Sequence, residues 1–166
     1  MIQTSAAASA TLFGALTLAS AVHAMPMGGT YTGRVDSQTP QMLGPNHVRL
    51  EQTASGVNTG PGTPLDGAKV QWNETVTLKS GKGPVEGTIT FTTPTGTTSS
   101  IYKGTVVTDA QGRVTAKGKY REGEATGEFA GIKTSGTFNV VYSSKTDFTG
   151  EWKGQVQPPG QTSSRR

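Results

Sequence analysis

The chain has 166 residues and a formal charge of +4, with 32% hydrophobic residues, 23 glycines, 27 threonines and no cysteine. That length suits one domain with its own core, and the missing cysteine excludes disulfides, thiolate metal sites, a cysteine nucleophile and a cysteine-linked lipid anchor. Arg165 and Arg166 supply half of the net charge from the extreme end, so the body is only mildly basic and a nucleic-acid partner is not indicated.

Residues 1–24 read as an export signal. "SAAASATLFGALTLASAVHA" is apolar, rich in small residues, and ends in Val22-His23-Ala24, a tripeptide that suits signal peptidase, although "MIQTS" before it holds no Lys or Arg. Gly14 and the many Ala, Ser and Thr residues argue against a stable membrane anchor. The expectation is a secreted or periplasmic protein that begins at Met25. Its folded domain covers residues 25–156, and residues 157–166, "QPPGQTSSRR", form a disordered tail. No later segment is long and apolar enough to be a transmembrane span.

After the signal, no segment carries helical periodicity, whereas alternation with a period of two recurs throughout. Tyr31, Gly33 and Val35 share one face of a first strand, which ends in the turn-rich "SQTPQMLGPN". Val48, Leu50 and Gln52 form a second strand, and "ASGVNTGPGTPLDGA" reads as a long loop of turn formers. Val70, Trp72, Glu74, Val76 and Leu78 come next on one face. "SGKGP" turns into a strand with Val85, Gly87, Ile89 and Phe91 inward. Tyr102, Gly104 and Val106 follow on segment 99–108. Segment 113–121 sets Val114, Ala116, Gly118 and Tyr120 against Arg113, Lys117, Lys119 and Arg121. The last two strands offer Gly136, Phe138, Val140 and Tyr142, then Phe148, Gly150, Trp152, Gly154 and Val156. The fold class is therefore all-β. About eight strands joined mainly by short turns predict a small antiparallel closed barrel, because closure removes exposed edges.

Few residues propose chemistry. Glu74 stands in the middle of an apolar face, where a carboxyl is costly unless paired or protonated. It marks either a polar spot in a ligand cavity or a structural position. The structural alternatives are a buried partner such as Arg49 or Lys103, or a bulge that turns it outward. Asn73-Glu74-Thr75 also spells a glycosylation sequon. Arg113, Lys117, Lys119 and Arg121 alternate along one strand with Thr115 and predict a basic stripe. Such a stripe is either a solvated outer face or a contact for an anionic polymer, lipid headgroups or lipopolysaccharide, and without interleaved aromatics nucleic acid is disfavoured. His47 stands alone once His23 leaves with the signal, so neither a metal site nor a catalytic triad is expected, and no cofactor is.

"YREGEATGEFAGIKTSGTF", residues 120–138, gathers Glu122, Glu124 and Glu128 among glycines. It lacks the Gly-Lys-Ser/Thr of a phosphate cradle, and Glu122 and Glu124 sit at a hairpin end rather than forming a catalytic pair. Its core, "ATGEFAG…TSGTF", resembles the GTG-x-[FY]-x-G-x-x-G-x-G signature of bacterial proteins with a barrel similar to allene oxide cyclase and plant dirigent proteins. Thr126, Gly127, Phe129, Gly131, Ser135 and Gly136 match, and Ala125 replaces a glycine. "LDGAKV", "GKGPVEGTITFT" and "TDFTGEWKG" fit the same pattern, so the resemblance spans roughly residues 30–156. It implies a calycin-like or allene-oxide-cyclase-like barrel, with the stretch as a strand-and-turn corner and its aromatic tucked under the barrel end. The expected function is non-catalytic: binding a small apolar or amphipathic molecule, or a structural or interaction role. An isomerase or cyclase using the barrel cavity is the alternative, by analogy of fold. Trp72, Glu74, Tyr102, Tyr120, Phe138, Tyr142 and Trp152 are the candidate cavity residues. The partners left open are that small molecule and further copies of the chain.

Overall fold

The computed structural model describes residues 24–160. The export signal falls on residues that, but for Ala24, lie outside the described ones, as does the tail beyond Gly160. Eight strands follow one another: β1 (Met25–Gly44), β2 (His47–Thr59), β3 (Lys69–Lys79), β4 (Lys82–Thr93), β5 (Gly96–Thr108), β6 (Val114–Ala125), β7 (Lys133–Tyr142) and β8 (Asp147–Gln157). Each pairs antiparallel with the next, and β8 pairs back onto β1 from Met25 to Arg34, so the hydrogen-bonded ring closes. Among the described residues the single helical element is a 3-10 turn, Gly127–Phe129. No helix among the described residues is long and apolar enough to cross a membrane.

The alternating faces fall as the sequence predicts. Tyr31, Trp72, Val76, Val85, Phe91, Tyr102, Phe148 and Trp152 are all buried in one core inside the ring. Burying a side chain of Phe size contributes about 1.5–3 kcal/mol, so the interior face is where most of the stability resides. Inward glycines make room for neighbouring aromatics. A Cβ on Gly150 would collide with the Tyr31 ring, and one on Gly154 with the Tyr120 hydroxyl. Between β3 and β4, Ser80 (φ 51) and Gly81 (φ 79) both take the left-handed conformation, as a two-residue hairpin turn of the I′ type requires.

Two segments expected as loops are strand instead. β1 runs on through "SQTPQMLG" to Gly44, and β2 continues through "ASGVNT" to Thr59. Register pairing of β1 with β8 stops at Arg34, with one more bond from the Val35 N–H to the Thr146 carbonyl at 2.9 Å, so residues beyond Val35 are paired on one side only. Pro40 sits on that free edge, where its missing N–H breaks no ladder. In β2 the inward positions are small or polar (Ala54, Gly56, Asn58), which hides the apolar alternation. They face large neighbours: Ala54 opposes Trp72, and Asn58 Oδ1 accepts from Trp152 Nε1 at 2.8 Å. Only residues 60–68 remain a loop. It folds over the end of the ring with Leu65 and Ala68 buried, held by Asn58 Nδ2 donating to the Leu65 carbonyl at 2.8 Å.

Candidate functional site

One row of register partners circles the inner face: Gln38, Gln52, Glu74, Gly87, Tyr102, Tyr120, Gly136, Gly154, returning to β1 at Met27. That it returns to Met27 rather than Gln38 is the stagger that tilted strands need to close. Glu74 points inward because it keeps step with Trp72 and Val76, both buried. Gly87 lies between Glu74 and Tyr102 in this row. Without a Cβ at Gly87, the side chains of Glu74 and Tyr102 meet across an intervening strand, and a Cβ there would press on Glu74 itself.

Tyr102 donates its hydroxyl to Glu74 Oε2, and Gln52 Nε2 donates to Glu74 Oε1. Gln52 is oriented in turn by Gln38 Nε2, which donates to its Oε1 at 2.7 Å, and its own Nε2 also lies 3.4 Å from the Tyr142 hydroxyl. Neither structural alternative for Glu74 holds. Arg49 pairs with Glu51 at 3.4 Å, Lys103 pairs with Glu86 at 3.2 Å, and no bulge interrupts β3 at this position. The sequence leaves Gln52 in view as an inward residue but gives no sign that it meets Glu74. That contact follows from the β2–β3 register.

Burial pushes the Glu74 carboxyl above the ordinary glutamate range, against the opposing pull of the hydrogen bonds from Tyr102 and Gln52. The tyrosines move the same way. Burial, with the Glu74 charge as second cause, raises Tyr102 and Tyr31 well above a free phenol and pushes Tyr142 up to about 12. Burial alone lifts Tyr120 to about 12. The phenols therefore stay protonated at neutral pH and act as donors, and Glu74 is the one carboxyl lining the cavity.

All seven candidate residues, Trp72, Glu74, Tyr102, Tyr120, Phe138, Tyr142 and Trp152, line a single interior cavity of about 70 Å³, together with Tyr31, Phe148 and Leu65. It is narrow, about half of the ~150 Å³ that holds benzene in an engineered apolar cavity. Met27, Thr134 and Val156, at the ends of β1, β7 and β8, line it and are partly exposed, so the interior approaches solvent there. The aromatics pack edge to face, Trp72 on Phe148 at 5.2 Å and Tyr102 on Phe138 at 5.3 Å. No fully buried side-chain polar atom among the described residues lacks a hydrogen bond. The cavity is thus an apolar slot with one satisfied polar cluster.

Elsewhere, the stretch 120–138 forms a corner. Gly127 opens the 3-10 turn in a left-handed conformation (φ 60), and Phe129 is buried beneath it. Of the basic stripe, Lys117, Lys119 and Arg121 are exposed on β6. Arg113 leaves it: it precedes the strand, and its Nε donates to Asp109 Oδ2 at 2.6 Å. Asn73 of the sequon is exposed on the outer face. No group of three or more metal-ligating side chains occurs among the described residues. No family model matches the chain, and no curated protein does.

Proposed function

We propose that this protein binds one slender apolar or amphipathic molecule inside a barrel of the calycin-like or allene-oxide-cyclase-like type, without transforming it, in a secreted or periplasmic setting. The observation that carries the reading is Glu74. A carboxyl whose pKa burial has raised stands among hydroxyl and amide donors in an otherwise apolar slot. Pockets that hold small molecules combine this kind of apolar lining with a few polar groups that fix orientation. Two of the carboxyl's lone-pair sites are used by Tyr102 and Gln52, leaving capacity for the polar end of a ligand. The narrow volume favours an unbranched chain over a ring.

The chain's two tryptophans, Trp72 and Trp152, both line the cavity, so intrinsic fluorescence reads its contents directly. Titration with straight-chain alcohols and ketones should shift the emission saturably. Native mass spectrometry of protein purified from its own host should retain a small molecule. If neither probe series nor host material gives a bound species, the binding reading fails. Intact mass from the same sample tests export, which requires a chain beginning at Met25.

An isomerase or cyclase has one feature in its favour, since a carboxyl of raised pKa suits a general acid. It lacks a second acid–base group poised near neutrality, the tyrosines all lying far above it. Consumption of the bound molecule, lost in Glu74→Gln with binding retained, would turn the reading to catalysis.

A further inference from the structure

We propose that the outer face of β5 to β8 docks a linear acidic polysaccharide, independently of the interior slot. Six exposed cations lie there: Lys103 on β5, Lys117, Lys119 and Arg121 on β6, Lys133 at the start of β7, and Lys153 on β8. Register sets Lys103 directly opposite Lys119, and the same row continues through Thr137 to Lys153. Like charges opposite one another weaken an antiparallel pair, so this arrangement does not serve the sheet. Only Lys103 has an ion-pair partner among the described residues, Glu86 at 3.2 Å. Two acids border the group: Glu86 lies opposite Lys103 in register, and Glu151 stands two residues before Lys153 on the same face of β8.

The spacing suits a chain of repeated anions. Alternate residues place Lys117, Lys119 and Arg121 about 6.8 Å apart along β6, and the row through Lys119 crosses them at strand spacings of about 4.8 Å. The face is the convex outside of a closed ring, which a flexible polymer can follow and a planar bilayer meets only along a strip. Among hydrophobics, only Ile101 and Val141 are exposed on it, which leaves little to insert into lipid. Every aromatic of the described residues packs into or against the core, so none is available to stack a nucleobase.

The test uses the intact protein with heparin and polygalacturonate as probes, measured by calorimetry across a salt series. Neutralising the face as Lys117→Gln, Lys119→Gln and Arg121→Gln together should weaken binding to either polymer by about tenfold or more at low salt, with affinity falling steeply as salt rises. A control of equal net charge, Lys69→Gln, Lys79→Gln and Lys82→Gln, takes exposed cations elsewhere and should lose less than about twofold. The face variant should keep its melting temperature, being altered only at exposed positions, and the tryptophan titration of the cavity should be unchanged. Equal losses in the two variants would reduce the effect to net charge and overturn the proposal. So would absence of binding to both polymers, or tighter binding to single-stranded oligonucleotide or to phosphatidylserine vesicles.

Discussion

Glu74 shows how one residue ties sequence pattern to site chemistry. Its place in the alternation Val70-Trp72-Glu74-Val76 sends it inward, and the gap at Gly87 lets Tyr102 reach it. Since burial raises its folded-state pKa above the unfolded value, the native state holds the proton over a window in which the unfolded chain has released it. Stability must then fall as pH rises from the unfolded pKa, near 4.5, up to the folded one, and level off beyond it. Glu74→Gln keeps the shape, still accepts a hydrogen bond and removes the titration. Its melting temperature relative to the parent should therefore climb between acidic and neutral pH. A pH-independent difference would mean that the carboxyl ionises as an ordinary glutamate. The alternation of β3 made Glu74 inward one of the readings of the sequence, beside a bulge turning it outward, and the unbroken β2–β3–β4 register decides for the first. Its partners were not legible there, because which side chains meet across β2, β3 and β5 depends on register and on the missing side chain of Gly87.

At the scale of elements, the corner Gly127–Phe129 carries the sharpest prediction. Gly127 has φ 60, and a Cβ there would run into the Thr95 carbonyl oxygen of the β4–β5 turn. Gly127→Val meets both the strain of a β-branched residue at positive φ and a backbone collision. It should cost about 3 kcal/mol or more. Glu128 is exposed and accepts a hydrogen bond from the Thr95 hydroxyl, so Glu128→Ala should change stability by about 0.5 kcal/mol or less. Urea denaturation of the two variants side by side checks this, and comparable midpoints would remove the corner's structural role. The strands themselves were legible wherever large apolar residues alternate, as in β3 to β8. They were hidden where an edge tolerates Pro40 and where Ala54, Gly56 and Asn58 sit small beneath Trp72 and Trp152. In both places the deciding term is a neighbouring strand rather than local propensity.

For the whole molecule, what matters is closure of the ring, not where the chain happens to begin within it. Met25 pairs with Val156, so the ends of β1 and β8 lie side by side at the same rim. Joining Gln157 to Met25 through a short glycine linker and opening the chain between Pro45 and Asn46 keeps all eight ladders. That turn is exposed and lies at the tip of the β1–β2 hairpin. The permutant should fold with native tryptophan emission and a modest loss in melting temperature, since termini that already adjoin tolerate such exchange. Deleting β8 instead, by ending the chain at Lys145, removes Phe148 and Trp152 from the core. It also leaves β1 and β7 with unpaired edges that template association between chains. That truncation should aggregate, as light scattering would read. Every other strand already pairs with its neighbours in sequence, and only the β1–β8 seam joins distant parts of the chain, so no strand is left to stand in for the missing one. A soluble, cooperatively melting truncation beside an unfolded permutant would mean that chain order, not closure, holds the structure together.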